Sequence, residues 1–143
     1  LKQIGVGGHY IDFTAPDFEG NPVTLSKQIK GKVALIDLWA SWCGPCRRSA
    51  KSMIPVYEKY ESKGFTIVGV AREKTVQTAK AAALQDGYPW LNLVELNDAG
   101  NIWFKYCVGN SGGGTFLVDR DGKILAICPT AEEVERILEK MLE

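Results

Sequence analysis

The stretch Val33-Ala34-Leu35-Ile36-Asp37-Leu38-Trp39-Ala40-Ser41-Trp42-Cys43-Gly44-Pro45-Cys46-Arg47 constrains this chain more than any other. Its first half is nearly continuous apolar sequence, the pattern of a strand covered on both faces of a sheet. Its second half is a Cys-x-x-Cys motif. Beyond the motif Ala50, Met53, Ile54 and Tyr57 recur at the spacing of one apolar helix face. The two cysteines are therefore expected at the N-terminus of a helix that leaves a central strand. Unpaired N–H groups and the helix dipole favour negative charge there, which stabilises a thiolate.

Their positions make the two thiols unequal. Cys43, at the helix entry, is expected to face solvent and to be the attacking thiolate. Cys46, nearly a turn later and on the inner side, is expected to be the resolving thiol that breaks a mixed disulfide. Pro45 suits a first helical turn and presets the geometry between the sulfurs. Arg47 and Arg48 would add positive charge that favours the thiolate. Asp37 interrupts the apolar strand on the same face as Trp39 and Ser41, beneath the helix that carries Cys46. A buried carboxyl with a raised pKa can take and return the Cys46 proton. The alternative is a structural acid satisfied by backbone or water.

Asp37, Trp39, Ala40, Trp42, Cys43, Gly44, Pro45 and Cys46 together resemble the active-site motif of the thioredoxin family. Ala15-Pro16-Asp17-Phe18, Leu25-Ser26, Lys30-Gly31-Lys32-Val33 and Thr115-Phe116-Leu117-Val118-Asp119 are similar to its TlpA-like branch of extracytoplasmic thiol–disulfide reductases, related to the cytochrome-maturation reductases. The likeness runs from about residue 9 to the C-terminus. It implies an α/β thioredoxin fold, a central mixed sheet flanked by helices, with an N-terminal β-hairpin extension. Residues 1–8 would be a tail or linker and 9–143 the domain. Cys43 and Cys46 would be the redox pair and Asp37 the buried acid. Trp42 at the surface would give partners an apolar landing patch, and Gly44, Pro45, Gly113 and Gly114 complete the expected substrate contacts.

One departure stands out. Thioredoxin-like folds carry a cis-proline just before the strand matching Thr115–Asp119. Asn110-Ser111-Gly112-Gly113-Gly114 occupies that place, and the proline position falls on Gly113. A non-proline cis bond costs about 2.5–4 kcal/mol, so a trans peptide is expected. Without a Cβ a partner's backbone can come close, on a more flexible platform. Without the ring the dithiol would also lie open to adventitious metal.

The rest of the chain supplies the frame. Asp17 to Thr24 has the pattern of a hairpin turning at Gly-Asn-Pro, and Ser26–Lys30 of a single helical turn. Pro55 is expected to kink the active-site helix. Phe65–Ala71 is a second core strand, parallel to the first because a helix joins them. Glu73–Gln85 is the next helix, so each sheet face should be covered by helix. Leu91–Leu96 is a short strand, Thr115–Asp119 and Lys123–Ile127 form a hairpin, and Thr130-Ala131-Glu132-Glu133 is a capping box opening the last helix. Trp90 and Trp103 could be core or rim.

A chain of 143 residues has the size of one domain. Its 17 basic and 17 acidic residues give no field for nucleic acid. No apolar run approaches the about 18 residues that span a bilayer. Starting at Leu1, the chain is expected to continue upstream, and membrane contact would come only through an anchor there. Cys107 and Cys128 have no metal-type spacing; they could be buried free thiols, a disulfide with each other, or, for Cys128 near Gly113, part of the redox site. His9 is expected to be a solvated surface residue.

Three functions fit. The first is a reductase of protein disulfides, fed by an upstream dithiol donor and needing no cofactor or resident metal. Gly-Pro between the cysteines is the dipeptide of thioredoxin, whose potential is about −270 mV and whose attacking thiol has a pKa of about 7. The second is a thiol peroxidase, although Trp42–Cys46 lacks the threonine such enzymes place near the peroxidatic cysteine. The third is a non-catalytic binding module of a longer protein. Extracytoplasmic placement follows from the resemblance alone.

Overall fold

A computed structural model describes residues 4–110 and 112–142. Ser111 of the glycine run and the first three residues of the expected tail lie outside them. The chain forms β1 (Thr14–Pro16), β2 (Pro22–Thr24), α1 (Leu25–Gln28), β3 (Val33–Trp39), α2 (Gly44–Tyr60), β4 (Phe65–Glu73), α3 (Val76–Asp86), β5 (Leu91–Leu96), α4 (Ile102–Lys105), β6 (Gly114–Val118), β7 (Ile124–Ile127) and α5 (Ala131–Leu142). The central sheet has the order β5-β4-β3-β6-β7. β3, β4 and β5 run parallel, β6 pairs antiparallel with β3, and β7 antiparallel with β6. This is the mixed sheet of a thioredoxin fold, and β1 pairs with β2 as a separate hairpin.

The strand that carries Asp37 sits in the middle because it is apolar on both faces: all of Val33–Trp39 is buried. Val33 and Leu35 pack with Ala50, Met53 and Val56 of α2 and with Val134 and Leu138 of α5. Trp39, on the same face, packs with Ala79 and Ala82 of α3. Ala34, Ile36 and Leu38 face the other way, onto Phe13, Leu25, Trp103 and Tyr106.

Helices lie on both faces, as expected, but they divide unequally. Two successive right-handed crossovers, β3-α2-β4 and β4-α3-β5, step in one direction and so leave both helices on one face. The opposite face is covered by the N-terminal segment with one-turn α1 and by one-turn α4. Near the N-terminus Gly7 N–H donates to the Ile124 carbonyl and Ile124 N–H to that of Gly8, both at 2.8 Å, so this segment follows β7. His9 is exposed, with its Nδ1 2.7 Å from the Tyr10 carbonyl oxygen.

Two boundaries move. β4 runs on to Glu73, pairing Arg72 with Glu95 and Glu73 with Leu96, and α3 starts only at Val76, after the Thr75 cap. Sheet pairing and a capping threonine outweigh the helical pattern at Glu73. α2 continues as one helix through Pro55. The closing helix opens on the expected capping box: Thr130 N–H donates to Glu133 at 2.9 Å and Glu133 N–H to Thr130 Oγ1 at 3.1 Å.

Candidate active site

β3 ends at Trp39, whose indole N–H donates to Asn92 Oδ1 at 2.8 Å. Gly69 makes room for this pair, since a Cβ there would overlap the Asn92 amide. The chain then turns through Ala40–Cys43 into α2, with Pro45 in the first turn. That turn is tied down from β4: the Glu73 carboxylate accepts from Ser41 N–H at 2.6 Å, from Ser41 Oγ at 2.7 Å and from Thr78 Oγ1 at 2.7 Å. Glu73 is a positioning residue that the sequence reading missed by placing it inside α3. Its one signal is a carboxylate directly after an apolar strand.

Cys43 and Cys46 are joined as a disulfide across a Cα–Cα distance of 5.3 Å. Cys43 is the N-cap of α2, and its Sγ accepts from Cys46 N–H at 3.3 Å. Cys46 Sγ accepts from Gly113 N–H at 3.1 Å. The exposure of the two residues reverses the expectation. Cys43 is only 4 % exposed and packs among Trp103, Tyr106 and Phe116, whereas Cys46 is partly exposed. The 112–114 segment runs beside both sulfurs: a Cβ on Gly112 would sit 4.0 Å from Cys43 Sγ, and one on Gly113 3.1 Å from Cys46 Sγ.

The disulfide opens on a cavity of about 230 Å³ whose walls include Asp37, Pro45, Gly113, Gly114, Thr115 and Cys128. Asp37 is 3 % exposed, and its carboxyl has no hydrogen-bond partner among the described residues, so burial pushes its pKa up to about 7.

Charge near the motif also differs from expectation. Arg47 makes a bidentate pair with Asp86, at 2.8 and 3.0 Å, and donates to the Ser41 carbonyl at 3.1 Å. Its charge is offset, and it serves to brace the turn. Arg48 stays exposed beside Gly44.

Trp42 is 55 % exposed, and its ring stands 5.9 Å from that of Trp103. The Arg72 guanidinium lies 4.9 Å from the Trp103 ring and is held by Asp98 at 2.6 and 2.8 Å. Trp90 and Trp103 are both buried. Gly44 and Pro45 are exposed, and Gly113 and Gly114 are partly so. No peptide bond among the described residues is cis, as expected for glycine at position 113.

The remaining cysteines correct two expectations. Cys107 and Cys128 are free and exposed, neither buried nor paired with each other. Both have left-handed φ, 57° and 51°, at corners where α4 and β7 end, and such corners stay at the surface. Cys128 does reach the redox cavity. Among the described residues no group of three or more His, Cys, Asp or Glu side chains could hold a metal ion.

The comparisons with known proteins agree with this geometry. The AhpC/TSA family matches residues 6–127. The chain is 29 % identical over 143 residues to thiol-disulfide oxidoreductase ResA of Bacillus cereus, covering 98 % of this chain and 80 % of that protein. It is 31 % identical to a probable phospholipid hydroperoxide glutathione peroxidase, mitochondrial, of Arabidopsis thaliana, covering 92 % of this chain and 66 % of that one. The thioredoxin domain of a thiol-disulfide oxidoreductase from Bacteroides vulgatus superposes with a TM-score of 0.87 at 28 % identity, over 99 % of this chain and all of that one. With its mixed sheet, its cysteine pair capping α2 and this match over most of its length, the chain belongs to the AhpC/TSA family of the thioredoxin superfamily.

Proposed function

We propose that this thiol–disulfide oxidoreductase is a reductase of protein disulfides. One observation carries the reading: the Cys43–Cys46 pair caps a helix N-terminus and opens, with the buried Asp37 carboxyl, on a single cavity. In the reduced protein the cap position and the Cys46 N–H favour a thiolate at Cys43. That thiolate attacks a substrate sulfur and forms a mixed disulfide, and the other substrate sulfur leaves as a thiolate with the electron pair of the broken bond. Cys46, having passed its proton to Asp37, attacks Cys43 Sγ; the Cys43–Cys46 bond forms as the bond to substrate breaks.

Trp42 beside the motif supplies an exposed apolar contact for a protein partner. Gly44 and Pro45 offer exposed backbone next to it, and Gly113 and Gly114 the wall opposite. The reducing direction rests on the Gly-Pro dipeptide. Electrons return through a second dithiol protein, and the protein works outside the cytoplasm, as in the branch it resembles. No helix among the described residues is long and apolar enough to cross a membrane.

Insulin reduction in the presence of dithiothreitol, with Cys43→Ser as control, tests the activity, and equilibration with glutathione tests the direction. Turnover lost in Cys43→Ser and a potential near −270 mV are the expected results; no turnover, or a strongly oxidising potential, would overturn the reading. The likeness to the Arabidopsis peroxidase favours a second reading, a thiol peroxidase. Peroxide consumption faster than insulin reduction would select it.

A further inference from the structure

The Cys46 sulfur has a donor that a proline at position 113 could not provide. Gly113 N–H points at Cys46 Sγ across 3.1 Å, and proline has no N–H to give. We infer that the Gly113 amide is a catalytic group of the resolving step, holding the negative charge on Cys46 Sγ as that thiol ionises inside the cavity. The inference rests on the reading of Cys43 and Cys46 as a working dithiol and deepens it.

The donors at the site are divided one to each sulfur. Cys46 N–H serves Cys43 at 3.3 Å, and Gly113 N–H serves Cys46. A disulfide sulfur is a weak acceptor and a thiolate a strong one, so this contact strengthens as charge develops on Cys46. A donor fixed in advance at the place where charge appears lowers the barrier, because nothing need reorganise when it does. The helix end cannot substitute, since its cap position belongs to Cys43.

The glycine leaves room for the approach. A Cβ at position 113 would overlap the Leu38 carbonyl oxygen and stand 3.1 Å from Cys46 Sγ. The pairing of Leu38 with Gly114 holds the segment against β3. Without a Cβ the segment lies against Leu38 unshifted with its amide toward the sulfur, so the glycine run trades the proline ring for a hydrogen-bond donor.

The step balances without an outside reactant. The Cys46 thiol gives its proton to the Asp37 carboxylate, and the thiolate held by Gly113 N–H attacks Cys43 Sγ. The Cys43–Cys46 bond forms while the Cys43–substrate bond breaks, and the substrate sulfur leaves with the electron pair. Two electrons pass from the dithiol to the substrate disulfide over the full cycle.

The amide itself is the probe. In 15N-labelled, reduced Cys43→Ser protein, the Gly113 amide resonance should move with the titration of Cys46, and this movement should vanish in Cys43→Ser/Cys46→Ser. A Gly113 amide that stays still while Cys46 ionises would overturn the inference. A kinetic arm compares Gly113→Pro with Gly113→Ala in a Cys107→Ser/Cys128→Ser background. Both add the Cβ that meets Leu38, but only proline removes the N–H. Release of the second thionitrobenzoate from an aromatic disulfide reports the attack by Cys46. It should be about tenfold slower in the proline variant than in the alanine one, with Cys46 titrating about one pKa unit higher. Equal rates would contradict the inference. Should the proline variant not fold, the amide titration decides alone. A stationary amide with normal insulin reduction sinks only this inference, and a titrating amide without insulin reduction sinks only the proposed function.

Discussion

Two buried carboxylates flank the redox motif, and their surroundings are opposite. Glu73, 7 % exposed at the end of β4, receives Ser41 N–H, Ser41 Oγ and Thr78 Oγ1. Asp37, 3 % exposed in the middle of β3, receives no donor among the described residues and borders the cavity that holds the sulfurs. Burial is alike; partners are not. A carboxylate on which donors converge is scaffold, since charge-assisted bonds fix both it and the turn it holds. A carboxyl left without donors keeps its proton to higher pH and can exchange it with a neighbour.

The largest effect should come from Asp37→Asn. Burial moves the Asp37 pKa from 3.8 to about 7 in the folded protein. The unfolded chain therefore loses this proton first as pH rises from about 4, while the folded one keeps it until about 7. Between those values the unfolded state binds fewer protons, so stability falls with rising pH and levels off above 7. That rise corresponds to at most about 4 kcal/mol. Urea unfolding at pH 8 should find Asp37→Asn more stable than wild type by up to that amount, with the slope between pH 4 and 7 removed. A variant that is less stable at pH 8 would mean that Asp37 has partners after all.

Glu73→Gln should do the reverse. Three donors would face a neutral amide, and the urea midpoint should fall by the equivalent of about 2 kcal/mol. The pH profile of disulfide reduction should keep its shape. If that profile changed as it does for Asp37→Asn, the division into scaffold and proton carrier would fail. Trp42→Ala tests the landing patch: KM for a protein disulfide should rise about fivefold, worth about 1 kcal/mol, while a small aromatic disulfide is reduced as before. The smallest effect belongs to Cys107→Ser, a change at an exposed corner, which should leave stability within about 0.5 kcal/mol and turnover unchanged.

The same contrast explains what the sequence revealed. The strand, the motif and the active-site helix were legible because local pattern and tertiary position agree there: Val33–Trp39 is apolar but for Asp37 and wholly buried. Asp37 was legible for the same reason, as one charge in an apolar run. Glu73 was not, because Ser41 lies 32 residues away in sequence and reaches it only when β4 pairs with β3, and Thr78 faces it only because α3 starts at Val76. In sequence Arg47 stands beside the thiolate, but Asp86, 39 residues away, takes its charge through folding. The burial of Cys43 was equally hidden, since it comes from a cluster with residues as far along the chain as Trp103, Tyr106 and Phe116. The exposure of Cys107 and Cys128 follows from left-handed corners that no hydrophobic period marks.

The account rests on Asp37 as the acceptor of the Cys46 proton. The most direct measurement is the pH dependence of single-turnover disulfide reduction by wild type and Asp37→Asn. Wild type should show an apparent ionisation near pH 7 that Asp37→Asn lacks, with a rate about a hundredfold lower in the variant at pH 8. Superimposable profiles at equal rates would contradict it.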